Sequence, residues 1–292
     1  MHGNSAHDIF FPDFSVKQTR PQIKDGSARG KDLFRFKRGL HALETLKDVS
    51  HLVLFHHLDV ADPASVDSLA NFIKSEFGKL DILINNAGIG GLVIKDNDLV
   101  PQVLFKSREL SDDVIEKAGI VQTFELAEEC LQINYYGAKR TSKALLPLLQ
   151  LSESPRIVNV SSSLGKLECV SNEWAEGILG DAENLTEERV DEVLNGFLKD
   201  IKERCLERKG WPKVLGAYII SKAAMNAYTR IVAKKYPTIC INSVCPGYVK
   251  TDITANTGLL TAEEGAASAV KIALLSNASS DLFYSQNEVS SF

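Results

Sequence analysis

The stretch 52–88, LVLFHHLDVADPASVDSLANFIKSEFGKLDILINNAG, decides how this 292-residue chain is read. Its first four residues, Leu52, Val53, Leu54 and Phe55, form an apolar run of strand length. A turn over 59–63 leads into a segment whose apolar residues Val66, Leu69, Ile73 and Phe77 recur every three or four positions. That spacing lays one apolar stripe along a helix. Gly78 ends the helix, and Ile82, Leu83 and Ile84 give the next strand. The alternation continues with a helix over 123–151, a strand over 156–160, a helix over 217–235, a strand over 239–244 and a helix over 262–275. Short apolar strands separated by helices are covered on both faces, so the pattern predicts an α/β, doubly wound parallel sheet. Such sheets bind ligands just beyond the carboxyl ends of their strands.

Two regions break the rhythm. Residues 165–212 form a long, charged, helix-favouring insert, with a helix expected over 186–208. Residues 1–37 have no periodicity and scattered Pro and Gly, and read as a poorly ordered segment ahead of a 38–292 domain. The formal net charge is -5 with no basic run, which argues against nucleic acid and anionic membrane as partners. No apolar stretch approaches the roughly 20 residues needed to span a bilayer. The five cysteines contain no C-x-x-C pair and read as reduced thiols. His56 and His57 would point to opposite faces of a strand, so no metal site is expected. The first 37 residues lack the apolar core of a signal peptide, and Asp8, Asp13, Asp25 and Asp32 are too acidic for organelle import. A cytoplasmic protein is the expectation.

The candidate chemistry lies at strand ends and on one helix. Tyr218-Ile219-Ile220-Ser221-Lys222 places a phenol and an ammonium on one helix face. A nearby cation favours phenolate, and each unit by which a Tyr pKa falls makes about 1.4 kcal/mol available toward proton transfer. Taken alone, the pair is also a common surface arrangement. Ser161, Ser162 and Ser163 directly follow the 156–160 strand, where a hydroxyl can meet a carbonyl or simply form a turn. Asn85, Asn86, Ala87 and Gly88 follow the strand at 82–84, small enough for a ring or sugar to approach the backbone, or else a tight turn. The segment 246–251 follows the 239–244 strand in the same way, and Asn134 sits inside a helix, where Asn is unfavourable.

In this order the motifs resemble the short-chain dehydrogenase/reductase superfamily from about Lys37 to Phe292. The segments KRGLHALETLK, NYYGAKR, RIVNVSS, EEGA and EVSSF resemble the plant reductases acting on menthone, neomenthol and salutaridine; animal carbonyl reductase is a more distant likeness. The resemblance implies a Rossmann-like sheet and a role for each motif. Tyr218 would protonate the carbonyl oxygen, Ser162 would hydrogen-bond it, Lys222 would hold the nicotinamide ribose and lower the Tyr pKa, and Asn134 would anchor a water leading to Lys222. Asp59 and Val60 would flank the adenine, and Asn86, Ala87 and Gly88 the adenosine ribose. Pro246, Gly247, Val249 and Thr251 would line the nicotinamide and pyrophosphate. Arg38, with Arg35 and Lys37, lies near where relatives keep basic residues for the 2′-phosphate, which implies NADP (NADPH); a solvated charge cluster is the other reading. The long separation of Ser162 from Tyr218 resembles that of monomeric carbonyl reductases, whose insert covers the helices that other members use to dimerise. It implies a monomer with a lidded pocket for an apolar ketone or alcohol.

One family feature is missing. The T-G-x-x-x-G-x-G loop, which turns a helix amino terminus onto a pyrophosphate, is formed by none of the 19 glycines. Gly26 and Gly30 have the first spacing, but Asp32 stands in the third place. The expected fold is thus incomplete at its amino-terminal β-α-β unit. The leading expectation is NADPH-dependent reduction of a ketone or aldehyde, or the reverse oxidation. The alternative is a truncated, catalytically impaired member without cofactor binding.

Overall fold

The computed structural model describes residues 9–10, 52–107, 109–276 and 279–292. They form a six-stranded sheet in sequence order: β1 (Ile9–Phe10), β2 (Ile82–Asn85), β3 (Arg156–Val160), β4 (Cys240–Cys245), β5 (Leu282–Ser285) and β6 (Glu288–Ser290). The first five are parallel and β6 returns antiparallel to β5. Nine α-helices accompany them: α1 (Pro63–Glu76), α2 (Val100–Phe105), α3 (Asp112–Lys117), α4 (Phe124–Leu131), α5 (Ala138–Leu149), α6 (Glu173–Gly180), α7 (Glu187–Lys202), α8 (Gly216–Lys235) and α9 (Ala262–Leu274), counted among the described residues. The fold is Rossmann-like.

Strand alternation sorts the core onto two faces. Leu83, Ile157 and Ile241 point into the larger cluster, with Leu145 and Leu149 of α5 and Ile220, Ala224 and Tyr228 of α8. Their neighbours Ile82, Ile84, Val158, Val160 and Val244 point the other way, onto Ala269, Ile272 and Ala273 of α9. Helix α1 starts where the sequence places it. Asp62 accepts from the Ala64 amide at 3.1 Å, Pro63 follows, and Gly78 leaves the helix at φ +75.

Three expectations need correction. The run at 52–55 is not a strand: Leu52 and Leu54 are 72% and 58% exposed. A strand needs a neighbour's ladder, and β2 already pairs with β1 on one side and β3 on the other. The segment 1–37 lies outside the described residues except for Ile9 and Phe10, which pair with Ile82 and Leu83. The helix expected over 186–208 ends at Lys202, where Arg204 turns to φ 55. The long helix over 123–151 is α4 and α5 joined by a π-helical turn, Gln132–Gly137.

The insert folds as α6 and α7. Thr186 caps α7 by accepting from the Arg189 amide at 3.3 Å, and its stripe of Val190, Val193, Leu194 and Phe197 is buried. Helix α7 packs on α4 and α8, and Lys139 of α5 pairs with Glu187 at 3.2 Å and Asp191 at 2.9 Å. A buried polar chain crosses the sheet. Asn85 Nδ2 donates to Asn159 Oδ1 at 2.8 Å and to Ser142 Oγ at 2.9 Å, and Asn159 Nδ2 donates to Thr229 Oγ1 at 2.9 Å. Cutting such a chain leaves buried groups unpaired. Asn159→Ala is therefore expected to lower the unfolding free energy by about 1–3 kcal/mol in urea denaturation; an unchanged midpoint contradicts the chain's role.

Candidate active site

The carboxyl ends of β2, β3 and β4 come together over α8. Asn134 lies in the π-helical turn, and such a turn tolerates a residue that an α-helix interior does not. It is fully buried, and its side chain is committed to the loop after β2. Oδ1 accepts from the Ile89 amide at 2.8 Å, while Nδ2 donates to Ile89 O at 2.9 Å and to Ser221 Oγ at 2.9 Å. Asn134 thus pins the 86–90 loop, and with it Asn86, Ala87 and Gly88, against α8. A Cβ on Gly88 would lie 3.4 Å from both Asn134 Oδ1 and Lys222 Nζ.

Ser162 opens a 3-10 turn, Ser163–Gly165, and accepts from the Leu164 amide at 3.2 Å. That turn rests directly on α8: a Cβ on Gly165 would be 2.7 Å from the Lys222 carbonyl carbon and Cβ. The close approach brings Ser162 beside the Tyr218 side chain, whose pKa it lowers. Lys222 Nζ donates to Val160 O at 2.7 Å and lies 5.8 Å from the centre of the Tyr218 ring. Asn134, Ser162, Tyr218 and Lys222 are therefore one cluster.

The remaining candidates lie on other segments. Val60 packs on Gly137, where a Cβ would meet Val60 Cγ2 at 2.7 Å, and Asp59 Oδ1 accepts from the Ala61 amide at 2.9 Å. After β4, Pro246 is half-buried and Gly247 turns at φ +88, with Leu260 Cδ1 2.8 Å from where its Cβ would stand. Val249 bridges to Leu260, and the Thr251 amide donates to Thr254 Oγ1 at 3.1 Å. The chain from 248 to 260 folds back as a flap, with Tyr248 edge-on to Phe105 at 4.7 Å. Arg38 lies outside the described residues. Sequence reasoning missed Gly165's steric role and gave Ser221 and Asn85, named within their motifs, no role of their own.

A family model for short chain dehydrogenase matches residues 34–173. (+)-Neomenthol dehydrogenase of Arabidopsis thaliana is 54% identical over 261 residues, spanning 87% of this chain and 86% of that protein. The chain belongs to the short-chain dehydrogenase family. The structure of salutaridine reductase from Papaver somniferum superposes with a TM-score of 0.77 at 49% identity, covering 85% of this chain and 88% of that one. Carbonyl reductase [NADPH] 3 of Mus musculus is 33% identical over 247 residues, 82% of this chain and 78% of that protein. Its relatives are dehydrogenases and reductases, so the chain is an oxidoreductase, of a family that uses nicotinamide cofactors.

The cluster fits the nicotinamide ribose of such a cofactor. An ammonium carries three N–H donors; one of those of Lys222 goes to Val160 O, which leaves two for a ribose diol. Gly88, with no side chain, keeps the approach to Lys222 and Asn134 open. Burial sets both titrations. It lowers the Lys222 pKa to about 8 and raises that of Tyr218, against which the Ser162 hydrogen bond acts. Desolvation is the main influence on Tyr218, and Ser162, not the expected Lys222, is the group that lowers its pKa. Burial also pushes the Cys130 thiol up to about 12, so it is inert as a nucleophile.

Two outcomes follow. Gly165→Ala forces the catalytic turn off α8, and catalytic turnover is expected to fall about 100-fold with the far-UV spectrum retained; near-normal turnover shows the contact is not needed. Lys222 is protonated in both folded and unfolded chains below about pH 8, so its burial penalty is then fully present. From about 8 to 10.5 the unfolded chain binds more protons, and wild type gains stability as pH rises. The stability of wild type relative to Lys222→Met should therefore increase across that window in denaturant titrations; a flat difference contradicts the depressed pKa.

Proposed function

We propose that the chain catalyses NADPH-dependent reduction of a ketone or aldehyde on a small apolar molecule, or the reverse alcohol oxidation, with Tyr218 as general acid. The observation that carries this reading is the gathering of Ser162, Tyr218 and the buried Lys222 ammonium where the Gly165 turn meets α8, with Lys222 Nζ 5.8 Å from the centre of the Tyr218 ring. The bound dinucleotide supplies a hydride to the carbonyl carbon. The hydroxyls of Ser162 and Tyr218 hold the carbonyl oxygen, and Tyr218 Oη gives up its proton to it as the hydride arrives, so ketone, hydride and proton make an alcohol. Tyr218, its pKa raised by burial, is fully protonated near neutral pH, which suits a group that must donate. Lys222, at about 8, still holds its proton there and stabilises the phenolate left behind. Asn134 acts by fixing the loop after β2 and anchoring a water toward Lys222.

Around this centre, Asp59 and Val60 would flank the adenine, Asn86, Ala87 and Gly88 its ribose, and Pro246, Gly247, Val249 and Thr251 the nicotinamide and pyrophosphate, with Arg38 on the 2′-phosphate. The NADP assignment is supported by the name of the mouse relative. An apolar substrate is supported by Phe105 and Leu259 at the flap, 63% and 77% exposed, and by the neomenthol and salutaridine relatives. Packing of α7 over α4 and α8 supports a monomer. We take 38–292 as one domain with the insert at 165–212 and the location as cytoplasmic; no described helix is long and apolar enough to cross a membrane.

The test is a fluorescence titration with micromolar NADPH followed by turnover of a terpenoid ketone. Binding with turnover is expected, and Tyr218→Phe should bind NADPH normally while kcat falls about 10³-fold. A folded chain that leaves NADPH fluorescence unchanged refutes the cofactor, and full activity in Tyr218→Phe refutes the acid.

A further inference from the structure

Tyr218 and Lys222 are the first half of a longer stripe on α8, continued at the same four-residue spacing by Asn226 and Arg230. Asn226 is buried, and its Nδ2 donates to Gly165 O at 3.0 Å; its Oδ1 has no partner among the described residues. The side chain's one protein hydrogen bond is thus spent on the turn that carries Ser162. Arg230 donates to Leu179 O at 3.4 Å, in the insert, and its guanidinium lies 5.3 Å from the centre of the Phe292 ring. Phe292 in turn sits 6.1 Å from Phe283 of β5. Gly165, Leu167, Ala223, Asn226, Arg230 and Phe292 enclose one small recess.

We propose that Phe292 and Asn226 are positioning residues for Ser162: they back the 163–165 turn against α8 and so set where Ser162 stands relative to Tyr218. The physical case is one of leverage. Gly165 has no side chain of its own to key into α8, and what fixes its sideways position is the Asn226 amide and the wall that Phe292 and Arg230 complete. Removal of the ring opens the recess and lets Arg230 and the turn relax into it. This inference rests on the reductase reading for its catalytic consequence, although the structural coupling is independent of it.

The experiment compares full-length wild type with Phe292→Ala, Asn226→Ala and the conservative Phe292→Tyr. Amide hydrogen exchange is read on the 161–167 peptide, and kcat, KM and the pH profile of carbonyl reduction are read alongside. Expected for both alanine variants is faster exchange confined to 161–167, and a kcat lowered roughly tenfold with NADPH affinity kept. The alkaline limb belongs to Lys222, at about 8, which Phe292 and Asn226 do not touch, so it should stay in place in all variants, and Phe292→Tyr should keep the exchange and kcat of wild type. Unchanged exchange at 161–167, exchange that rises evenly over the whole chain, or a kcat within about twofold of wild type overturns the proposal. A wild-type chain without reductase activity sinks the proposed function instead, and the exchange comparison then decides the coupling by itself.

Discussion

The active site depends on one steric contact: the backbone of Gly165 lies against the backbone of Lys222 at a distance that excludes even a methyl group. Strand β3 delivers Ser162 to the edge of the sheet, and α8 carries Tyr218 and Lys222, but the two elements reach hydrogen-bonding range only because the turn between them and the insert has no side chain at its closest point. The same economy recurs at Gly137, which lets Val60 settle against the π-helical turn. Close approach of backbones is what converts a conventional sheet-and-helix sandwich into a site where four polar side chains share one small volume.

That volume is costly to maintain. Lys222 is 4% exposed and Asn134 fully buried, and a buried polar group without a partner destabilises a fold by about 1–3 kcal/mol. The structure offsets this by satisfying each group locally. Lys222 has Val160 O; Asn134 has the Ile89 amide and carbonyl and the Ser221 hydroxyl; and Ser221 also donates to Tyr218 O at 2.8 Å. Two of these partners come from strand ends or the loops after them, where backbone groups have left the ladder and are free to bond side chains. The site therefore sits where the sheet supplies its own spare donors and acceptors.

How much of this could be read from sequence varied with the type of signal. Strands β2, β3 and β4 and helices α1, α8 and α9 were legible because wholly apolar runs and period-3.6 stripes report burial directly. The strand at 52–55 was misread for the same reason: an apolar run reports a wish for burial, but a ladder needs a neighbour, and pairing is a property of the whole sheet. Tyr218, Lys222, Ser162 and Asn134 could be named because their order along the chain matched strand ends. Their mutual geometry could not, since the π-helical turn around Asn134 has the composition of an ordinary helix. Asn85 and Asn159 were quoted only within longer motifs, because a buried amide in a strand looks, in sequence, like an interruption, when here it joins β2, β3 and α8.

The titration of the two catalytic-helix groups shows why burial, more than proximity, governs this site. A phenol and an ammonium in water titrate close together, near 10 and 10.5. Desolvation penalises phenolate and ammonium alike, so it moves the two apart, Tyr218 upward and Lys222 down to about 8. In that medium the uncharged phenol is strongly preferred until something takes its proton. In the proposed reduction, an alkoxide forming beside Ser162 and Tyr218 would be such an acceptor, and the phenolate left behind would face a cation in a low-dielectric interior, where their attraction is far stronger than in water. On that proposal the lysine would act less by ionising the tyrosine beforehand than by stabilising the charge after the proton has gone, and the direction of the shift in Tyr218 is the one a donor requires.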